Sequence, residues 1–147
     1  MAVSAVLVVD DELDHGTTVR AILERGTASS VVVCATVEDA LRQAAAQPFA
    51  VAIVDLRMPG RDGLSLMHAL RRLQPALEVV ILTAYPSPGS CRAALTEGAA
   101  AYLEKPFSPE ALKALISALL AKTQAAEGNP TSRGGDPDAP ARASRRR

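Results

Sequence analysis

Aromatic and sulfur-containing side chains are scarce in this sequence. Tryptophan is absent, aromatic residues make up 3% of the 147 residues, and there are two cysteines and two histidines. Two cysteines in a chain of this size do not indicate a disulfide framework, and no histidine has a second histidine or cysteine at the spacing of a zinc site. Valine, leucine, isoleucine and alanine must fill the core, and 48% hydrophobic residues are enough for one domain.

Long apolar segments and nucleotide-binding motifs are also missing. No apolar run approaches the roughly 20 residues that a membrane span needs, and the N-terminal segment has no basic start and reaches acidic residues by Asp10, unlike a signal peptide. Walker and GxGxxG motifs do not occur. The formal net charge is zero, and the arginines at 145–147 would support at most weak, salt-dependent binding of nucleic acid. The sequence thus predicts a reducing, cytoplasmic setting without a membrane or a direct nucleic-acid partner.

Five short apolar runs alternate with five segments of helical pattern. The runs are rich in valine and isoleucine and largely lack polar alternation, which is typical of strands covered on both faces. They span residues 5–9, 31–35, 51–54, 79–82 and 101–103. Strict alternation of strand and helix predicts a parallel sheet with right-handed crossovers. We expect a doubly wound, flavodoxin-like α/β fold whose five strands lie in the order 2-1-3-4-5.

Capping residues indicate where several helices begin and end. Thr36, with Asp39 three residues later, predicts a helix that runs to about residue 47. Ser108 and the proline after it predict the N-cap and first residue of the last helix, and Gly98 should end the fourth. Because the loop before the fourth helix carries two prolines and a glycine, that helix should start late or be short.

The composition changes near residue 123. From residue 124 onward the chain has no valine, leucine, isoleucine or aromatic residue and is rich in proline, glycine, alanine and arginine. Such a segment cannot bury enough apolar surface to offset the entropy of ordering it. We therefore expect one folded domain over residues 1–123 and a disordered tail over residues 124–147.

Charged and hydroxyl side chains follow four of the five predicted strands. Asp10 and Asp11 end the first strand, Asp55 the third and Thr83 the fourth, and Lys105 follows the fifth. In such sheets the site lies outside the carboxyl ends of the strands, so these side chains should lie close together. Three carboxylates would repel one another without a cation, and all-oxygen ligands favour Mg²⁺. With a carboxylate as nucleophile and a lysine and a hydroxyl to stabilise the transferring group, the pattern predicts phosphoryl transfer to an aspartate.

Each of these residues taken alone also has a purely structural interpretation. The aspartates can cap helices or turns, Thr83 can be an ordinary strand residue, and Lys105 can be a solvated surface lysine. The hypothesis depends on their joint placement at one edge. His15 is interpreted as a polar residue that opens the first helix rather than as a metal ligand or phosphohistidine, and His68 as lying on the exposed side of the third helix.

Four stretches of the sequence carry a resemblance to a known family. VLVVDDE, VAIVDLRMPGRDGL, VVILTAY and YLEKPF resemble, in order and separation, the signature stretches of response-regulator receiver domains. The similarity covers residues 5 to about 122. It implies a phosphoryl-accepting switch of a two-component phosphorelay, which catalyses only its own phosphorylation and dephosphorylation and signals through protein–protein contacts.

The resemblance implies roles for the residues around the acceptor. Asp55 matches the phosphoacceptor, and Asp10 and Asp11 match the acidic pair that binds Mg²⁺ together with Asp55. The backbone carbonyl of Arg57 matches the remaining protein ligand, which leaves its side chain free to vary. Lys105 matches the cation that pairs with the phosphoryl oxygens.

The resemblance also implies a switch and a local geometry. Thr83 matches the hydroxyl that bonds the phosphoryl group and shifts on activation, and Tyr102 matches the aromatic switch residue. Pro106 matches a proline whose preceding peptide bond is often cis, and Gly63 suits the turn and tight packing after the acceptor loop. The family tunes hydrolysis two residues after the acceptor and two after the threonine; the second of these positions is Tyr85 here.

The implied partners are a sensor histidine kinase or phosphotransfer protein upstream, and downstream a protein target or a second copy. Docking is expected on the face made by the fourth helix, fifth strand and fifth helix. Because no output domain is recognisable, one alternative is a unit whose output is DNA binding through a partner or missing domain. Another is an aspartyl-phosphate hydrolase of the haloacid-dehalogenase type, but that family places its nucleophile in a DxD motif on the first strand, where this chain has adjacent aspartates.

Overall fold

The central sheet is built from the five apolar runs, most of them lengthened by flanking residues. Residues 4–27, 29–58 and 61–127 are described by a computed structural model of the chain. The strands of the main sheet are β1 (Ser4–Val9), β2 (Ser29–Cys34), β3 (Val51–Asp55), β4 (Glu78–Thr83) and β5 (Ala101–Glu104). All neighbouring strands are parallel and their order is β2-β1-β3-β4-β5. The predicted doubly wound fold and its strand order are confirmed.

The strand limits differ from the prediction by one or two residues. Ser29 and Ser30 pair with β1 although they are not apolar, because strand membership depends on backbone hydrogen bonds rather than on the side chain. The predicted second strand included Ala35, but β2 ends at Cys34, opposite the last residue of β1. A two-residue antiparallel ladder between Arg57–Met58 and Arg61–Asp62 was not predicted.

In the described part of the chain, four helices connect the strands, a fifth follows the last strand, and together they cover both faces of the sheet. They are α1 (Leu13–Gly26), α2 (Val37–Ala46), α3 (Gly63–Leu73), α4 (Pro88–Thr96) and α5 (Pro109–Glu127). One buried cluster joins the sheet to α2, α3 and α4, and a second joins the opposite face to α1 and α5. Among the described residues, no helix combines the length and apolar character that a membrane crossing requires.

The predicted capping residues lie at the helix ends as expected. The Thr36 hydroxyl accepts the Asp39 N–H at 3.1 Å, and the Ser108 hydroxyl accepts the N–H of Ala111 at 2.9 Å. Gly98 has φ +115°, the left-handed conformation that glycine adopts without strain at a helix end. The fourth helix is short, with nine residues, but it does not start late, because Ser87 caps it and Pro88 is its first residue.

The last helix extends past the predicted domain boundary at residue 123, because α5 continues to Glu127. Glutamine, alanine and glutamate are good helix formers, and each added residue extends an existing helix without having to bury apolar surface. Burial alone indicated an earlier end for the helix, and the boundary of the folded domain stays a prediction. The disorder predicted for residues 128–147 lies outside the described residues.

Gly63 fixes how closely α3 approaches the end of β3. A Cβ atom at this position would lie 2.5 Å from the backbone oxygen of Asp55 and 2.9 Å from the Cα of Leu56. These are backbone atoms that cannot turn away, so the close approach requires glycine. The Gly63 N–H donates to the Leu56 carbonyl at 2.7 Å. The tight packing expected of Gly63 thus holds the backbone of Asp55 in place.

Candidate functional site

Two adjacent strands bring Asp10 and Asp55 to the same edge of the sheet. Asp10 directly follows β1, and its N–H donates to the Cys34 carbonyl at 3.0 Å. Asp55 is the last residue of β3 and pairs with Leu82 of β4. Asp10 is 3% exposed and Asp55 is 7% exposed. Two aspartates are therefore nearly buried side by side, where an unpaired charge would be costly.

Lys105 supplies the cation that these two carboxylates need. Its Nζ lies 2.9 Å from Asp10 Oδ2 and 3.1 Å from Asp55 Oδ2. The second oxygen of each carboxylate accepts a backbone N–H, from Glu12 at 2.9 Å and from Arg57 at 3.1 Å. Every carboxylate oxygen of the pair therefore has a donor, which is how buried charges are tolerated.

Burial and charge shift the ionisation of this cluster. Burial raises the pKa of Asp55 above its usual 3.8, although the Arg57 N–H and the Lys105 ammonium stabilise the charged form and act in the opposite direction. Burial lowers the pKa of Lys105, but hydrogen bonds and charge from Asp10 and Asp55 outweigh it, so the pKa stands above the usual 10.5. Lys105 is therefore charged across the neutral range, while the site still disfavours a full charge on Asp55.

A third carboxylate completes an acidic cluster. Asp10, Asp11 and Asp55 each offer an oxygen, and these oxygens lie within 4.8 Å of one another. Asp11 is exposed, so the cluster opens to solvent on its side. Two buried oxygens and one exposed oxygen fit a hard divalent cation that retains part of its water, which is the binding mode of Mg²⁺. Three carboxylates against one lysine also leave an excess of negative charge for such a cation to balance.

Thr83 and Tyr85 lie at the end of the neighbouring strand, β4. Thr83 is fully buried, and its Oγ1 accepts the Tyr85 N–H at 3.0 Å. The Thr83 hydroxyl still has its own proton to donate. The guanidinium of Arg57 lies 5.2 Å from the centre of the Tyr85 ring, a cation–π distance. This contact joins the loop after β3 to the loop after β4, although the resemblance left the Arg57 side chain free to vary.

Tyr102 contacts α4 rather than the carboxylates. Its hydroxyl lies 2.6 Å from the Ser90 Oγ and accepts the Ser87 N–H at 3.4 Å. Ser87 is the N-cap of α4 and accepts the N–H of Ser90. The Tyr102 hydroxyl on β5 is thus hydrogen-bonded to residues at the start of α4. Directly after β5, the peptide bond between Lys105 and Pro106 is cis.

The structure brings most of the predicted site residues together. Asp10, Asp55 and Lys105 are in direct contact, Asp11 lies beside them, and Thr83 ends an adjacent strand. Whether these residues have the chemical roles assigned to them, including the metal role of the Arg57 carbonyl, stays a prediction. The predicted switch residue, Tyr102, lies within β5 opposite Ile81 and bonds to α4.

His15 is the residue that sequence reasoning undervalued. It stands in the first turn of α1, as expected, but its Nδ1 lies 3.2 Å from Lys105 Nζ and 3.1 Å from Glu12 Oε1. The available signal was its position in the first turn after the aspartate pair, because helical side chains lean back towards the N-terminus. His68 is half exposed on α3, as predicted, and its Nε2 lies 2.6 Å from Glu97 Oε1.

Comparisons with known proteins agree with this geometry. Residues 6–117 match a family model described as the response regulator receiver domain. The transcriptional regulatory protein ZraR of Escherichia coli (strain K12) is 37% identical over 118 residues, which are 80% of this chain and 26% of ZraR. The chain thus spans about a quarter of the length of the curated relatives it matches.

Solved structures show the same likeness in three dimensions. A CheY-like receiver domain protein from Methanospirillum hungatei JF-1 is 26% identical with a TM-score of 0.79, over 85% of this chain and 99% of its own. A response regulator from Burkholderia pseudomallei, solved with a phosphorylated aspartic acid, calcium ion and citrate, is 33% identical with a TM-score of 0.72, over 84% of this chain and 72% of its own. With the family model matching more than half of its length, the chain belongs to the family of response-regulator receiver domains.

Proposed function

We propose that this receiver domain is a phosphorylation switch whose acceptor is Asp55 and whose cofactor is Mg²⁺. One observation carries the proposal: the buried carboxylate of Asp55 is bonded to a largely buried lysine, and an oxygen of it lies within 4.8 Å of oxygens of two further carboxylates. The raised pKa of Asp55 belongs to a group whose negative charge is poorly stabilised by its surroundings. Such perturbed groups are common at sites where charge changes during function.

The residues divide the chemistry between them. In the proposed step a carboxylate oxygen of Asp55 forms the new bond to phosphorus, while the bond from phosphorus to the donor breaks and the leaving group departs with the electron pair. Asp10, Asp11, Asp55 and the Arg57 carbonyl would hold Mg²⁺, which when bound neutralises phosphoryl charge. Lys105 supplies a fixed positive charge beside Asp10 and Asp55.

The same site accounts for dephosphorylation. Water attacking phosphorus releases phosphate and restores the free carboxylate of Asp55, so the switch resets without a substrate of its own. We propose that the domain acts only on its own acceptor and not on other molecules. The Burkholderia pseudomallei response regulator, whose structure contains a phosphorylated aspartic acid, supports an aspartate as the acceptor.

Small-molecule phosphorylation tests the proposal directly. Incubation with acetyl phosphate and Mg²⁺ should add one phosphoryl group, seen by intact-mass measurement, that is stable in acid and labile to base and hydroxylamine. Chelating the metal with EDTA should prevent labelling, because three carboxylates would then repel the incoming phosphate. Labelling at an undiminished rate in EDTA, or an adduct that resists hydroxylamine, would contradict the proposal.

Arg57 and Tyr85 should prolong the life of the phosphoryl group. Their cation–π contact joins the two loops that flank Asp55 and can screen phosphorus from water arriving in line with the scissile bond. Replacing both with alanine should shorten the half-life of the phosphorylated protein roughly two- to fivefold, the range that an exposed cation–π contact of about 0.5–1 kcal/mol spans. The decay is followed by the loss of phosphoprotein after the donor is removed.

The matched control for this prediction is Arg42→Ala. Arg42 is an exposed arginine on α2 whose partner is Asp39, and its loss should leave the half-life unchanged. An unchanged or longer half-life in the double variant would argue against screening by these side chains.

We propose that a sensor histidine kinase or phosphotransfer protein in the cytoplasm supplies the phosphoryl group, and that the output is a protein contact. The proposed docking face is made by α4, β5 and α5. Of the four exposed large hydrophobic residues in the described part of the chain, Tyr85 precedes α4 and Leu95 lies in its last turn. These apolar side chains support a partner protein or a second copy on this face.

Thr83 should couple phosphorylation to that face. Phosphorylation gives Asp55 a charge near −2, towards which the Thr83 hydroxyl can move, and Tyr102 can then turn only by leaving Ser90. Thr83→Ala should still be phosphorylated, yet show smaller changes in the NMR shifts of β5 and α4 on phosphorylation. Thr18→Ala, which removes an exposed hydroxyl from α1, is the control. Changes concentrated on α1 and α2 would place the output elsewhere.

A second candidate output is DNA binding through another domain. The chain matches only 26% of ZraR, whose name describes a transcriptional regulator, so this receiver can act as the regulatory unit of such an assembly. The described residues themselves offer no reason to expect direct contact with nucleic acid. Phosphorylation-dependent association with a DNA-binding protein would favour this output over the others.

We further propose that residues 128–147 are not needed for the receiver fold. A chain ending at Glu127 should unfold with nearly the same denaturant midpoint as the full chain, and should be phosphorylated at the same rate. A loss of stability above about 1 kcal/mol, the size of a typical real contact, would show that these last residues dock on the domain.

A further inference from the structure

We infer that His15 is a positioning residue that holds the Lys105 ammonium group between the two buried aspartates. The ammonium group has three N–H donors and no acceptor. Among the described residues its three partners are Asp10 Oδ2 at 2.9 Å, Asp55 Oδ2 at 3.1 Å and His15 Nδ1 at 3.2 Å. The imidazole therefore takes the one donor that the aspartates leave. The inference rests on the proposed function, because it assigns His15 a part in phosphorylation.

The contact requires one tautomer of the imidazole. Nδ1 can accept from Lys105 only when the ring proton is on Nε2, whereas the nearby Glu12 Oε1, at 3.1 Å, would need a proton on Nδ1. The two arrangements exclude each other. The Glu12 side chain is 63% exposed and can be hydrated instead, while the Lys105 side chain is 10% exposed and depends on protein acceptors. The burial of the lysine favours the tautomer with the proton on Nε2.

The fold holds His15 in place for this contact. Its N–H donates to the Glu12 carbonyl at 3.0 Å, within the first turn of α1. The next residue, Gly16, packs so closely on β2 that a Cβ atom would lie 2.6 Å from Val33 Cγ1. At this turn the helix therefore cannot approach β2 more closely without disturbing that packing. The imidazole itself is 47% exposed, so a change of its side chain can be made without opening the core.

Lys105 contacts a nitrogen atom of His15, whereas it contacts oxygen atoms of Asp10 and Asp55. One carboxylate oxygen of Asp10 and one of Asp55 lie in a cluster that could hold a divalent cation, and the His15 nitrogen lies in a second such group with Asp10 and Glu12. Because Mg²⁺ strongly prefers oxygen to nitrogen ligands, the His15 nitrogen is the partner of Lys105 for which Mg²⁺ competes least. Without it, the ammonium group would be less well oriented when it has to meet a phosphoryl oxygen.

Two substitutions separate the acceptor from the bulk of the side chain. His15→Leu removes the acceptor, whereas His15→Asn keeps an oxygen near the place of Nδ1. His15→Leu should lower the maximal rate of phosphorylation by acetyl phosphate about fivefold, as expected for one hydrogen bond, with the Mg²⁺ concentration for half-maximal rate unchanged. His15→Asn should recover most of the rate. His68→Leu, at the other histidine of the chain, should match the wild type.

A spectrum of the metal-free full chain tests the contact without any reaction. Long-range proton–nitrogen NMR should show His15 with its proton on Nε2, and His68→Leu assigns the signals because the chain has two histidines. A proton on Nδ1, or equal rates for His15→Leu and a wild type that is phosphorylated, would overturn the inference while leaving the proposed function intact. Failure of the wild type itself to be phosphorylated would instead reject the proposed function, and with it the role of His15.

Discussion

Asp55→Asn should abolish Mg²⁺-dependent phosphorylation by acetyl phosphate. Asparagine keeps the shape of the side chain and can still accept the Arg57 N–H, but its amide is not a nucleophile and it withdraws a charged ligand from the metal. The label should fall on the order of 100-fold or more, as expected when the attacking group is removed. Intact-mass measurement and a hydroxylamine-sensitive radiolabel both detect the loss.

The loss should not come from unfolding. Burial raises the pKa of Asp55, so the fold disfavours its charged form. Replacing a charged side chain by a neutral one of the same shape should then leave the metal-free protein at least as stable near neutral pH. Asp14→Asn, which neutralises an exposed acid in the first turn of α1, is the matched control and should be labelled normally. Unchanged labelling of Asp55→Asn would reject the assignment of the acceptor.

The sequence was most informative where hydrophobicity and backbone geometry agree. β3 is buried at every position, and its run of apolar residues could be recognised as a strand covered on both faces. Ser29, Ser30 and Glu78 were not recognised as strand residues, because only the hydrogen bonds to their neighbours place them in the sheet. The end of α5 was missed for a similar reason, since helix propensity rather than burial extends it.

The candidate site was predictable because strand order alone determines which strand ends meet. Once five parallel strands are placed in the order 2-1-3-4-5, Asp10 and Asp55 must be neighbours. The contacts of His15 with Lys105 and of Tyr102 with Ser90 were not predicted, because they depend on side-chain conformations and on how α1 and α4 pack. The position of His15 in the first turn of α1 indicates that it lies near the aspartate pair, but patterns along the chain do not give the distances.

Lys105→Met should destabilise the metal-free protein by about 3 kcal/mol, the typical cost of removing one partner from a buried ion pair. Methionine can replace the apolar part of the lysine side chain, but it leaves Asp10 and Asp55 facing each other without a cation. Mg²⁺ should recover part of the loss, because it binds the folded carboxylate cluster and not the unfolded chain. The control is Lys122→Met, whose partner is Glu78 and whose side chain is 67% exposed, and which should cost less than about 1 kcal/mol.

The pH dependence of Lys105→Met should identify the cause of that loss. A carboxyl group whose pKa is higher in the folded chain than in the unfolded chain makes the fold less stable as the pH rises between the two values. The pKa of Asp55 is already above 3.8 with Lys105 present and should rise further without it. The free energy of unfolding of the variant should therefore fall, relative to the wild type, as the pH rises above about 4.

The wild type should lose the contribution of Lys105 only above pH 10.5, because the pKa of that lysine is raised. Denaturant unfolding at a series of pH values measures both curves, and a pH-independent difference between them would mean that lost packing, rather than unpaired charge, destabilises the variant.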